Sequence, residues 1–165
     1  MRSALVLFFC WGLFFLGFGR SEPQRIVSLA PSITRSLFYL GAEDRLVGVT
    51  SFCHIAHNSG ATIVGSAMTV NLEKIITLRP NLVLTTAMTN PETIQMLNNA
   101  GITTKVLQTP RSFNEVCDQF EYLGRLVGRG AQASEINSKT KKRVAEIQRS
   151  NRYNSRPDFF FQIGA

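Results

Sequence analysis

Cysteine is scarce in this chain, with three in 165 residues, and one of them, Cys10, lies in an apolar leader. The remaining pair, Cys53 and Cys117, cannot staple a disulfide-dense scaffold; an oxidising compartment permits a bond between them, and two free or buried thiols suit the count equally. Phosphate-binding signatures are missing as well. There is no G-x-x-x-x-G-K-S/T loop, no G-x-G-x-x-G behind a strand and no G-x-S-x-G elbow. Gly124, Gly128 and Gly130 fall at a helix end, where glycine closes a turn. Acidic residues number only 11 against 18 basic ones. Those of the mid-chain (Glu43, Asp44, Glu73, Glu92, Glu115, Asp118, Glu121) are scattered and suggest no acid/base pair. Ser32 opens a helix after a strand, as some nucleophiles do, but a serine there also reads as a cap. No residue is assigned to catalysis, and the chain is read as a non-enzyme.

Long hydrophobic runs are absent except at the start. Arg2 precedes an apolar stretch from Ala4 to Phe18, short for a membrane span and suited to a secretory leader. Gly17 and Gly19 place small residues for cleavage before Arg20, so residues 1–19 are read as a signal peptide; an uncleaved anchor is the alternative. Removing that leader takes Arg2 alone from a formal charge of +7, leaving +6. Much of the excess lies late, at Lys139, Lys141, Lys142, Arg143, Arg149, Arg152 and Arg156. In an exported protein such a run reads as a solvated helix face, and no nucleic-acid partner is inferred.

What is present is a regular alternation of short apolar strands and amphipathic helices. Arg25-Ile26-Val27-Ser28-Leu29 reads as a buried strand, followed by a helix with Ser32 as cap, Ile33, Leu37 and Leu40 inward, and Gly41 as its stop. Leu46 to Val49 is a second strand, and Thr50 to Thr69 a polar loop. Asn71 caps a helix whose apolar residues are Leu72, Ile75, Ile76 and Leu78, and Pro80 ends it. Leu82-Val83-Leu84 is too apolar for a half-solvated strand and suits a parallel sheet covered on both faces. Asn90 and Pro91 then start a helix with Ile94, Met96 and Leu97 inward, closed by Gly101. A strand at Lys105 to Leu107 follows. A capping box from Ser112 to Glu115 opens a long helix with Val116, Phe120, Leu123, Leu126 and Val127 as its stripe. A second long helix runs from Ala131 to Ser150, with Ala133, Ile136, Thr140, Val144 and Ile147 on one side. Asp158 to Ile163 is a last apolar strand. Helix, strand and helix in this order define an α/β fold with a parallel sheet.

Ligand-type residues cluster once, in Phe52-Cys53-His54-Ile55-Ala56-His57. Cys53, His54 and His57 lack a fourth partner for a metal, so a loop lining a pocket explains them as well. Met68 reads as a loop or core residue.

The ordered blocks are I-V-S-L-A-P-S-I-T from Ile26 and G-A-E-D-R-L-V-G-V-T from Gly41, then Val64-Gly65, N-L-E-K-I from Asn71, L-R-P-N-L-V-L from Leu78 and L-G-R-L-V-G from Leu123. Together they resemble the solute-binding proteins of ABC importers for cobalamin and ferric siderophores. The resemblance spans nearly all of the chain after the leader. It implies two Rossmann-like lobes with helices on both faces of each sheet, joined by one rigid helix, with ligand held between them. On that pattern residues 20–130 are an N-terminal lobe, 131–151 the bridging helix, and 152–165 the start of a second, truncated lobe.

The resemblance further implies a ligand cleft formed by Ala30 to Ile33, Thr50 to His54, Ser66 to Val70 and Ala87 to Asn90. The residues placed there are Pro31, Ser32, Phe52, Cys53, His54, Ala67, Met68 and Met88. Glu92 falls where family members dock on a permease through a glutamate, and is also a first-turn acid favoured by the helix dipole. Arg35 stands where many relatives have glutamate, and Ala67-Met68 where cobalamin binders often have an aromatic and haem binders a tyrosine. No resident cofactor or structural metal is implied. The ligand expected is a metal chelate, a ferric siderophore or a corrinoid, and the partners are an ABC permease and ATPase at the inner membrane. The expected location is the periplasm. With one lobe, weak or no ligand affinity is expected. The alternative is a small exported α/β metal-binding domain or enzyme using His54 and His57.

Overall fold

A computed structural model describes residues 22–56, 58–66 and 68–150. The leader, the expected strand at Asp158 to Ile163, His57 and Ala67 lie outside these residues. Five parallel strands, β1 (Ile26–Ser28), β2 (Leu46–Val49), β3 (Thr62–Ile63), β4 (Leu82–Thr86) and β5 (Thr104–Leu107), form one sheet in the order β3-β2-β1-β4-β5. The crossovers use α1 (Pro31–Tyr39), α2 (Leu72–Thr77) and α3 (Pro91–Asn99). Two longer helices, α4 (Phe113–Leu126) and α5 (Gly130–Ser150), complete the described chain.

Side chains alternate across each strand, so the sheet feeds two cores. Ile26, Leu82 and Leu84 pack with Ile33 and Leu37 of α1, Leu123 of α4 and Ala133 of α5 on one face. Val27, Leu29 and Val83 pack with Ile75 of α2 and Leu97 of α3 on the other. Both faces are covered by helices, which is why the central strands are continuously apolar.

Local signals hold at most boundaries. The Asn71, Asn90 and Ser112 side chains accept from the amides of Lys74, Glu92 and Glu115 at 2.8, 2.8 and 3.2 Å. Gly41 and Gly101 take the left-handed conformation expected of helix stops. At Ser32 the expectation fails. The helix begins one residue earlier, with extended Ala30 as N-cap and Pro31 in the first turn, and no side chain caps it. Pro31 needs no amide partner and arrives with a helical φ, so it takes the first position and leaves Ser32 inside the turn. The Ser112 box is also altered, since the Glu115 carboxylate accepts from Arg111 rather than Ser112.

Five residues assigned inward are exposed: Ile76, Met96, Val116, Thr140 and Ile147. Cys117 of α4 and Asn137 of α5 are buried without having been assigned inward, and the Asn137 side-chain amide donates to the Cys117 carbonyl at 2.8 Å. The polar loop after β2 contains a short 3-10 turn (His54–Ala56) and the two-residue β3, neither expected. At the other end of α2, Arg79 is left-handed, and the Arg25 guanidinium closes the helix by donating to the Leu78 carbonyl at 2.6 Å.

The helices α4 and α5 meet at Gly124, where an added Cβ would lie 2.5 Å from Ala133 Cβ. Beyond Asn137, α5 is exposed except for the half-buried Val144 and Ala145. Its charged pairs there, Lys139 with Glu135 and Arg143 with Glu146, are surface contacts of small stabilising value. The ammonium of Lys139, bonded to Glu135, holds that carboxyl below its ordinary range.

Gly124→Val should therefore force α5 from α4. We expect a loss of about 1–3 kcal/mol in urea unfolding, the usual cost of overpacking, while Gly130→Ala, whose added Cβ would meet only ordinary van der Waals contacts, should cost less. Equal losses at both positions would argue against close helix contact as the cause.

Candidate functional site

The strand order sets the site. From β1 the chain moves outward through β2 to β3, then returns to the other side of β1 as β4. The connections leaving β1 and β4 therefore diverge, and a crevice opens beyond their carboxyl ends; such switch points are where open α/β sheets hold ligands. A cavity of about 290 Å³ occupies this position, lined by Ala30, Pro31, Thr50, Phe52, Ser66, Met68, Thr86 and Met88.

Each lining residue comes from a strand end or the loop after it. Ala30 and Pro31 follow β1, Thr50 and Phe52 follow β2, Ser66 and Met68 follow β3, and Thr86 and Met88 end and follow β4. No lining residue carries a formal charge. Phe52, Met68 and Met88 are well exposed, at 61, 73 and 65%, so the rim presents large apolar side chains to solvent.

Beneath this rim lies a buried polar floor. Thr34 Oγ1 sits 2.8 Å from Ser28 Oγ and 3.1 Å from Cys53 Sγ, and Thr50 Oγ1 lies 3.1 Å from the same sulfur. All four residues are at most 1% exposed. The cluster joins the end of β1, the first turns of α1 and the turn after β2, satisfying groups whose burial unpaired would be costly. On the far side, the hydroxyls of Thr85 and Thr89 bond to each other and tie the end of β4 to its loop. Farther out, Ser66 Oγ accepts from the Thr69 amide at 2.9 Å, closing the loop that carries Met68.

Of the residues placed in the cleft from sequence, Pro31, Phe52, Met68 and Met88 line this one cavity. Cys53 does not, because the 3-10 turn rotates its thiol down into the floor, where it is 1% exposed. Both Cys53 and Cys117 are free and buried, which decides between the two readings of the pair. Ser32 instead borders a groove between α1, α4 and α5. His54 is exposed at the start of the 3-10 turn and does not line the cavity. Ala67 and His57 fall outside the described residues. Among the described residues no three His, Cys, Asp or Glu side chains gather as a metal set. Thr86 is the lining residue that lay outside every cleft segment, being the last residue of a strand. The switch point after β4 was the signal that reaches it. Glu92 stands exposed in the first turn of α3, on the same edge of the sheet as the cavity.

A parallel α/β lobe with a neutral crevice at its switch point is a small-molecule binding architecture. The chain belongs to the periplasmic binding protein family, which matches it over residues 26–159. It is 32% identical over 149 residues to a cobalamin-binding protein of Halobacterium salinarum, a match covering 87% of this chain and 40% of that protein. It is 33% identical over 132 residues to the uncharacterized ABC transporter substrate-binding lipoprotein YvrC of Bacillus subtilis, covering 78% and 42%. Among solved structures, a possible iron-binding, periplasmic solute-binding protein of Staphylococcus epidermidis superposes with a TM-score of 0.75 at 28% identity, covering 82% of this chain and 54% of that one. The chain thus spans about half or less of the length of these relatives. By their names they are binding proteins, not enzymes.

The floor makes a direct prediction. Thr34→Val should cost about 1–2 kcal/mol in urea unfolding, since it removes hydrogen bonds among buried groups. Ser36→Ala should cost little, because that exposed hydroxyl only bonds a carbonyl of its own helix. A Thr34→Val loss no larger than that of Ser36→Ala would show that the floor contributes packing alone.

Proposed function

We propose that this lobe holds one side of a metal-chelate ligand, a ferric siderophore or a corrinoid, as the substrate-binding component of an ABC importer. The single observation that carries the reading is the apolar crevice at the switch point, built from four strand-end loops in a chain of this family. The names of the relatives, cobalamin-binding and substrate-binding among them, support the same ligand class. Binding is by burial and loop contacts, with no bond made or broken. The partners are an ABC permease and its ATPase, and the place of action is the periplasm, reached through the N-terminal leader.

Glu92 is the residue we assign to docking. It lies on the edge that carries the cavity, so a permease that grips it also faces the ligand opening. Its carboxylate suits the positive end of α3 and leaves its outward face free for a cation.

One wall buries one side of a ligand. Titration of the 165-residue chain with dicyanocobinamide and with ferric siderophores should therefore give, for the best of them, a Kd weaker than about 10 μM. Phe52→Ala should weaken it further. Micromolar or tighter binding would refute the one-wall account. Separately, Glu92→Arg should abolish stimulation of the reconstituted permease–ATPase complex and leave the chelate titration unchanged. A variant that stimulates normally removes Glu92 from docking.

A further inference from the structure

We propose that the furrow between α2 and α3 is the apolar part of the surface that docks on the permease, with Ile76 and Met96 as its anchors beside Glu92. The proposal rests on the docking reading of Glu92 above and extends it to a neighbouring surface.

Both residues belong to apolar stripes yet stay out of the core, Ile76 at 43% and Met96 at 52% exposure. Their helices bury Ile75 and Leu97 instead, which pack in one core, and α2 and α3 touch each other. At about 100° per residue, the other positions can be placed around those two. Lys74, Thr77 and Leu78 of α2 border a hollow with Thr62 of β3, so this flank faces the β3 edge. Ile76 and the half-buried Leu72 lie on the opposite flank, toward α3. Both helices return antiparallel to the strands, so the same geometry applies to α3. Its flank toward α2 carries Glu92, Thr93 and Met96, and its far flank carries Ile94 and Asn98. Ile76 and Met96 therefore face one furrow from its two walls.

Charge selects the occupant. Glu73 and Glu92 stand exposed in the first turns of the two helices, at the cavity edge of the furrow. Among the described residues neither carboxylate is in an ion pair. Lys74, the cation beside Glu73, turns away into the hollow by β3. Two free acids next to an apolar furrow fit a protein surface that sets cations beside an apolar side chain.

Position selects it too. Neither Ile76 nor Met96 lines the cavity, so a bound ligand leaves both uncovered. Met96 lies four residues after Glu92 and is its neighbour on the same flank. A permease that grips the acid must also lie over the methionine. Exposed apolar surface gains by being covered, and an unbranched thioether adapts to whatever faces it.

The test is binding of the full chain to the reconstituted permease–ATPase complex in nanodiscs, at low and high salt. Ile76→Gln and Met96→Gln remove the apolar surface and keep a residue that favours helix. Each should weaken binding about fivefold without changing its salt dependence, and Met96→Leu should restore it. Glu92→Gln should weaken binding and flatten the salt dependence. Val116→Gln, similarly exposed on a helix of the opposite face, should change nothing. Urea midpoints of the variants should match that of the unaltered chain, so that a weaker complex reports the surface.

Full binding by Ile76→Gln and Met96→Gln, with loss in Glu92→Gln, would overturn the furrow and leave the acid as the docking residue. Loss at the furrow with normal Glu92→Gln would retain the furrow and refute the reading of the acid. No effect at any of the three, or no binding of the unaltered chain, would overturn both. An equal loss in Val116→Gln would mean general apolar adsorption and would also overturn the furrow.

Discussion

The structure depends on β1 standing at the middle of a parallel sheet. Ile26, Val27 and Ser28 are fully buried, and the strand pairs with β2 on one side and β4 on the other. Parallel pairing demands a crossover after every strand, and right-handed crossovers place helices on both faces. With β2 and β3 laid to one side, the next strand returns to the free edge of β1. That return makes the loops after β1 and β4 diverge. The crevice is thus a consequence of strand order, and side chains decide only its chemistry.

That chemistry is divided by depth. The floor is made of small polar groups that satisfy one another, which fixes the loops without competing for a ligand. The rim is made of large apolar groups whose exposure stabilises nothing in the lobe alone. A floor that binds itself and a rim that waits to be covered is an arrangement suited to capture, because folding leaves uncovered the apolar surface that a ligand would bury. It also explains why Cys53 and its neighbour Phe52 act differently. Adjacent residues of one turn point to opposite sides, one into the floor and one over the mouth.

Much of this was legible in the sequence, and the failures have physical causes. Asn71, Asn90, Ser112, Gly41 and Gly101 marked element ends because each answers a local backbone need that tertiary packing does not alter. Ser32 misled because Pro31 can fill the first helical turn by itself. Ile76, Met96, Val116 and Ile147 misled because periodicity locates an apolar stripe but not its width. A six-residue helix such as α2 buries Ile75 and leaves the next residue at the edge. Asn137 and Cys117 were hidden for the opposite reason, since neither side chain advertises burial until the helices are seen to touch. Two-residue β3 carries too short a pattern to detect. The cleft segments came from the resemblance, whereas the inward turn of Cys53 and the contribution of Thr86 required the backbone.

The direction of α5 joins the remaining parts. It starts at the base of the lobe, where Gln132 donates to the Tyr39 carbonyl at the end of α1. Asn137 then meets the middle of α4, and α4 itself begins near the carboxyl end of β5. Running antiparallel to α4, α5 must leave the lobe at the edge that holds the cavity and Glu92. From Asn137 to Ser150 a helix extends about 20 Å at 1.5 Å per residue. A surface carried on that helix would stand beside the cavity mouth at a distance set by a rigid rod. The same edge therefore brings together the crevice, Glu92, to which we assign docking, and the rod. Only a ligand entering from that edge would meet all three, and this is the physical reason to read them as one apparatus.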